Sequence, residues 1–153
     1  MADCGGGGNL VARFAVAGRS TVAGTNVRAL ASIFATTAVT PIIYEIGVFN
    51  TTATAVAVGV ARFTNATGVG AGLTEIALGD PVHVAVATGF AGHTADGAIS
   101  GLVRAAVLGA AIGSGVIWTF ANGLTIPSGT ANGVGITIPT GTGQICDYYI
   151  EWD

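Results

Sequence analysis

The stretch VIWTFANGLTIPSGTANGVGITIPTGTGQICDYYIEW, Val116 to Trp152, decides the fold class. Apolar runs alternate in it with turn residues at close and nearly regular intervals, the pattern of successive β-strands. Asn122-Gly123 separates Val116–Ala121 from Leu124–Ile126, and an Asn-Gly pair between apolar runs predicts a two-residue hairpin, so the stretch reads as a β-meander. Thr125-Ile126-Pro127-Ser128-Gly129-Thr130 returns as Thr137-Ile138-Pro139-Thr140-Gly141-Thr142. Each copy closes a strand with a proline, which cannot donate to a ladder, and turns on a glycine. In the last strand Cys146, Tyr148, Ile150 and Trp152 share one side, while Asp147, Tyr149, Glu151 and Asp153 share the other. That period of two predicts a core face and an acidic face.

Outward from this stretch the chain reads as strand after strand. Leu10–Val16, Val27–Phe34, Ile42–Phe49, Ala55–Phe63, Val82–Ala87 and Leu102–Leu108 are rich in β-branched or aromatic residues and bounded by Gly, Pro, Asn and Thr clusters. Ile42–Phe49 is apolar on both faces apart from Glu45 and Gly47, as in a central strand. Ala55–Ala61 sets Val56, Val58 and Val60 against a small-residue face that predicts close approach of another layer or subunit. A short strand is expected around Leu73–Ala77, and Thr88–Ser100 reads as the longest irregular loop. Eight to eleven strands and no long helix predict an all-β, single-domain β-sandwich over residues 10–153, jelly-roll-like, with an immunoglobulin-like sandwich as the alternative. Trp118, Phe120, Tyr148 and Trp152 fall in its core.

Residues 1–9 read as a glycine-rich N-terminal arm, because Gly5 to Gly8 carry a large ordering cost and offer nothing to pack. Only 8% of the 153 residues are charged, against roughly 25% in an ordinary soluble domain, and mean hydropathy is +0.71. A surface of Ala, Thr, Gly and Asn has little charge repulsion against association, so much of it is expected to meet neighbours. The basic residues are Arg13, Arg19, Arg28, Arg62 and Arg104, with no lysine. That excludes a phosphate-loop or Schiff-base lysine, and the net charge of −3 removes the driving term for nonspecific nucleic-acid binding. The start of the chain lacks the basic and apolar regions of a secretory leader. The blandest run, Ala105–Trp118, is too short and too glycine-broken to span a bilayer. No membrane partner is expected.

Motif chemistry is sparse. His83 and His93 with Asp80 and Asp96 are the one group resembling a metal site, but the alternating strand position of His83 and the loop position of His93 give them no reason to converge. They read as solvated loop-side histidines. Gly68-Val69-Gly70-Ala71-Gly72 lacks the third glycine of a dinucleotide fingerprint and reads as a flexible loop. Ser114 sits between Gly113 and Gly115, but Ile112 and Val116 stand where the G-x-S-x-G pattern of a nucleophile elbow needs glycine. Asn50-Thr51-Thr52 and Asn65-Ala66-Thr67 match the glycosylation pattern but read as threonine-rich turns. No catalytic, cofactor-binding or metal residue is assigned, and no enzyme activity is expected. Cys4 and Cys146 form a candidate tether: an arm extending roughly 3.3–3.6 Å per residue could bring Cys4 to Cys146 of its own or an adjacent chain.

The run Tyr44-Glu45-Ile46-Gly47-Val48-Phe49-Asn50-Thr51-Thr52, then Gly115-Val116-Ile117-Trp118-Thr119-Phe120, and the ending Ile138-Pro139-Thr140-Gly141-Thr142-Gly143-Gln144-Ile145-Cys146-Asp147-Tyr148-Tyr149 resemble small structural proteins of tailed bacteriophages. The similarity covers most of residues 10–153. It implies a virion component, most like a capsid decoration (cement) protein: a homotrimer contacting the major capsid protein on the capsid exterior, assembled in the host cytoplasm. A tail- or fibre-associated module binding host glycan is the alternative, and a small metal-dependent enzyme built on His83 or His93 a second one.

Overall fold

A computed structural model describes residues 14–66, 68–79, 85 and 87–153. The glycine arm, Cys4, Asp80 and His83 lie outside the described residues, as do residues 10–13 of the first expected strand and most of the strand expected at 82–87. Among the described residues there is no helix, and eleven strands form two antiparallel sheets packed face to face. The first sheet orders β6 (Ile76–Ala77), β1 (Phe14–Arg19), β11 (Cys146–Trp152), β3 (Ile42–Asn50) and β9 (Gly115–Thr125). The second orders β5 (Ala71–Gly72), β7 (Ala87–Ala91), β2 (Ala31–Ala35), β10 (Gly133–Thr137), β4 (Val56–Phe63) and β8 (Ile99–Leu108).

The connectivity follows from one regularity. Phe14 pairs with Trp152, Ile33 with Val134, Ile46 with Trp118 and Val60 with Arg104, so the sum of partner numbers stays nearly constant along the chain. The protein is one long antiparallel hairpin folded over, with β1–β11 and β3–β9 in one sheet and β2–β10 and β4–β8 in the other. Such nesting is a jelly roll, and it excludes the immunoglobulin-like alternative, whose sheets are assembled differently.

Two local expectations are corrected. Asn122-Gly123 makes no hairpin: Val116 and Leu124 belong to the same strand β9, and both ends pair with β3. The register shift between Ile43 and Glu45 absorbs the extra residues as a bulge, in which Gly123 takes φ +73°. The same φ that suits a hairpin suits a bulge. The meander is likewise absent, because β10 lies in the opposite sheet from β9 and β11. The repeated Thr-Ile-Pro-x-Gly-Thr segments are two successive corners at which the chain changes sheet, from β9 to β10 and from β10 to β11. Pro127 and Pro139 each stop a ladder two residues past its end, and Gly129 and Gly141 turn with φ +117° and +78°.

The core lies between the sheets. Cys146, Tyr148, Ile150 and Trp152 point inward and are buried, as the parity of β11 requires, and Val56, Val58 and Val60 face them from β4. Trp118 and Phe120 complete the aromatic core. Arg62 reaches across from β4 to donate to the Thr125 carbonyl on β9 at 2.7 Å, tying the sheets together at one margin.

The segment between β4 and β8 does not form the expected irregular loop over Thr88–Ser100: β7 occupies Ala87–Ala91 and β8 begins at Ile99. β6 adds to β1 and β7 adds to β2, so this excursion covers both sheet edges on one side of the sandwich. It also lies over the outer face of the second sheet, where Ala66, Val69, Phe90 and Ile99 pack on Ala29, Phe34, Ala61 and Phe63. Glycine allows that close approach. A Cβ at Gly70 (φ +82°) would overlap the Ala91 and Gly92 carbonyls, so the expected flexible loop is instead a tightly docked segment.

Candidate functional site

Four features carry polar or reactive groups, and each is set by the strand that presents it. The first lies where the excursion meets the second sheet. His93 is 2% exposed and Ser32 is fully buried, and the Ser32 hydroxyl shares a 2.8 Å hydrogen bond with His93 Nε2. The backbone around them is pinned by Gly92 N–H to Leu30 C=O at 3.0 Å, His93 N–H to Ala29 C=O at 3.1 Å and Gly97 N–H to Val27 C=O at 2.9 Å. The imidazole centroid lies 5.2 Å from that of Phe63 and 6.2 Å from that of Phe34. Burial in this aromatic setting pushes the His93 pKa down to about 4, so the ring is neutral near pH 7.

This overturns the expectation of a solvated loop-side histidine. Position 93 lies in a loop, but the loop is folded onto a sheet. The sequence did contain a signal: Ser32 is the one hydroxyl within Ala29–Ala35, and a polar group in an apolar strand requires a buried partner.

His93 and Ser32 resemble the base and nucleophile of an acyl-transfer site in distance alone. Both are sealed from solvent, and His93 Nδ1 has no hydrogen-bond partner among the described residues, whereas a working triad places a carboxylate there. The pair pins the excursion to the second sheet. Asp96, grouped with His93 in the sequence, goes elsewhere: its carboxylate accepts from Arg28 Nε at 2.6 Å. Among the described residues no three His, Cys, Asp or Glu side chains are placed to hold a metal ion. A shallow cavity of about 380 Å³ adjoins His93 and Arg28, with a largely apolar lining that includes Val22 and Ala23.

The second feature is the outer face of the first sheet. Tyr149 donates to Glu45 at 2.6 Å, and Thr119 donates to the other Glu45 oxygen at 3.1 Å. The Tyr149 ring stacks on Phe49 and lies flat over Gly47, where a Cβ would overlap it. Burial and the Glu45 carboxylate raise the Tyr149 pKa, so the phenol stays protonated as the donor. At the other end of β11, Arg19 grips Asp147 through two bonds of 2.7 and 3.0 Å. The hydrogen bond from Arg19 holds the Asp147 carboxyl below its usual range.

Asn50 and Cys146 form the third and fourth. Asn50 is no acceptor for glycan: its side chain is buried, donates to the Thr54 and Gly109 carbonyls at 2.7 and 3.0 Å, and accepts from Thr52 N–H at 3.0 Å. It fastens the β3–β4 turn to the β8–β9 connection. Asn65 similarly accepts from Ala98 N–H at 2.8 Å. Cys146 is a free thiol, fully buried on the core face. Burial, then the neighbouring Asp147 charge, push its pKa up to about 11. Such a thiol is a poor nucleophile.

Comparison of the chain with protein-family models, with curated proteins and with solved structures returns no match.

Proposed function

We propose that this protein is a virion structural component: a jelly-roll module that decorates a capsid, acts through lattice contacts with the major capsid protein and carries out no catalysis. The observation that carries the reading is the distribution of exposed apolar side chains. Leu102, Val107, Ile112 and Ile117 are all at least half exposed, with Val107 and Ile112 at 77% and 75%, and they fall along β8, β9 and the turn between them. Large apolar side chains left this exposed on both sheets at one margin of the sandwich mark surface that can meet another protein. Over residues 99–117 the only ionisable side chain is Arg104. Of the phrases resembling tailed-phage structural proteins, Gly115–Phe120 lies on this side and supports the same reading.

The outer face of the first sheet favours a second reading, a tail- or fibre-associated module binding host glycan. Its stacked Tyr149 and Phe49 beside Glu45 and Asp147 offer an aromatic platform with polar neighbours. The two readings separate by experiment. Purified protein added to capsids that lack it should cosediment and raise their resistance to heat or chelation. Retention on a host-glycan surface without capsid binding would replace the first reading with the second.

A further inference from the structure

The geometry points to β8 as a self-pairing edge: two copies of this chain join antiparallel along Arg104–Leu108, fusing their six-stranded sheets into one. The sandwich treats its two sides differently. On the β1/β2 side the excursion caps each sheet edge with short strands. On the other side β8 pairs with β4 alone, and among the described residues no further backbone hydrogen bond reaches Ile99–Leu108. A row of backbone donors and acceptors is therefore open beside exposed apolar side chains. Natural edges are blunted by charged side chains, proline or bulges. The first half of β8 is blunted by register shifts opposite Val60/Ala61 and Arg62/Phe63 and ends at the charged Arg104; Ala105–Leu108 has none of these protections and pairs with β4 in regular register.

A second copy fits this edge. A dyad through Ala106 matches donors with acceptors by symmetry and sets Ala105 of each copy opposite Val107 of the other. Ala105 and Val107 pair with Gly59 and Ala57 on the outer face of the sheet, so an exposed valine meets an alanine twice across the dyad. Beside them runs an apolar groove of about 360 Å³ lined by Ala57, Leu102, Pro139 and Thr140, which receives the partner's apolar surface. The one charge is compatible: Arg104 falls opposite Leu108, leaving the two guanidinium-bearing positions about 13 Å apart along the strands. This pairing is argued from the open backbone edge and does not rest on the capsid reading, although Val107 serves in both.

The test uses the full chain carrying Cys4→Ser. Sedimentation equilibrium should show a reversible dimer, and Val107→Lys should weaken it roughly tenfold or more by placing lysines in an apolar contact, with unchanged thermal unfolding of the monomer. Ala105→Lys serves the same purpose should Val107→Lys fail to fold, and Ile76→Lys on the capped side should leave the dimer intact. Mixing Ala105→Cys with Val107→Cys protein under oxidation should give more disulfide-linked dimer than either alone. A monomer at millimolar concentration, a trimer indifferent to Val107→Lys, or cross-linking without that preference overturns the proposal. Capsid cosedimentation of Ile112→Lys, which lies outside the paired segment and should leave the dimer intact, reads the lattice function separately.

Discussion

Lowering the pH from 7.5 to 5 should remove about 2 kcal/mol of stability through His93 alone. In the folded protein its pKa is about 4, against an ordinary value of 6.5. Because the folded value is the lower one, the neutral ring's contribution is complete above pH 6.5 and is lost as pH falls from 6.5 through 4. Each pH unit within that window costs about 1.4 kcal/mol, reaching about 3 kcal/mol at pH 4. For a chain of this length 2 kcal/mol corresponds to a fall in Tm of about 4–8 °C. The loss arises where protonated His93 must leave Ser32 and the Phe34 and Phe63 rings, so the excursion should open first. Thermal unfolding of the wild type and His93→Gln at pH 7.5, 6, 5 and 4.5, with amide exchange across residues 92–97, measures this. The variant should be less stable at pH 7.5 and nearly flat between 6.5 and 4.5, while the wild type falls steeply. Parallel curves for the two proteins across that window would refute the reasoning.

Three further outcomes follow from the packing. Gly47→Ala should displace the Tyr149 ring and break its bond to Glu45, costing about 1–3 kcal/mol in chemical denaturation. Asn50→Ala removes the amide donor from the Thr54 and Gly109 carbonyls, which keep only the Thr52 and Ser114 hydroxyls, and the acceptor from Thr52 N–H; it should cost about 1–3 kcal/mol while loosening the β8–β9 turn, visible as faster amide exchange at Gly113, whose N–H bonds the Asn50 carbonyl. Cys146 should resist maleimide until the protein unfolds, even at pH 9. A disulfide between Cys4 and Cys146 on a non-reducing gel of native particles, abolished by Cys4→Ser, would establish the tether and require the Cys146 sulfur to leave the core.

What the sequence reveals and conceals here divides along a physical line. Side-chain parity is local, so the inward set of β11 and the valine face of β4 could be read directly. Proline and glycine chemistry is local too, and Pro127 and Pro139 end strands as expected. Pairing partners are not local. Asn122-Gly123 supplies a positive φ, but whether that φ serves a hairpin or a bulge depends on β3, some eighty residues away in the chain. Likewise the Thr-Ile-Pro-x-Gly-Thr corners announce a change of direction without naming the sheet that receives the next strand. His93 sits in a loop whose own sequence is hydrophilic, and its burial comes from Ser32 and two phenylalanines on distant strands, which local sequence does not reveal. The open side of the sandwich was legible only as low charge. Its location required knowing which edges the excursion covers.

Electron microscopy of native particles tests the lattice reading most directly. The account predicts a two-sheet jelly roll on the exterior of an icosahedral shell, with the β8–β9 side turned toward a neighbouring protein rather than toward solvent. The same fold found only on a tail or fibre, or on the shell with Val107, Ile112 and Ile117 facing open solvent, would contradict it.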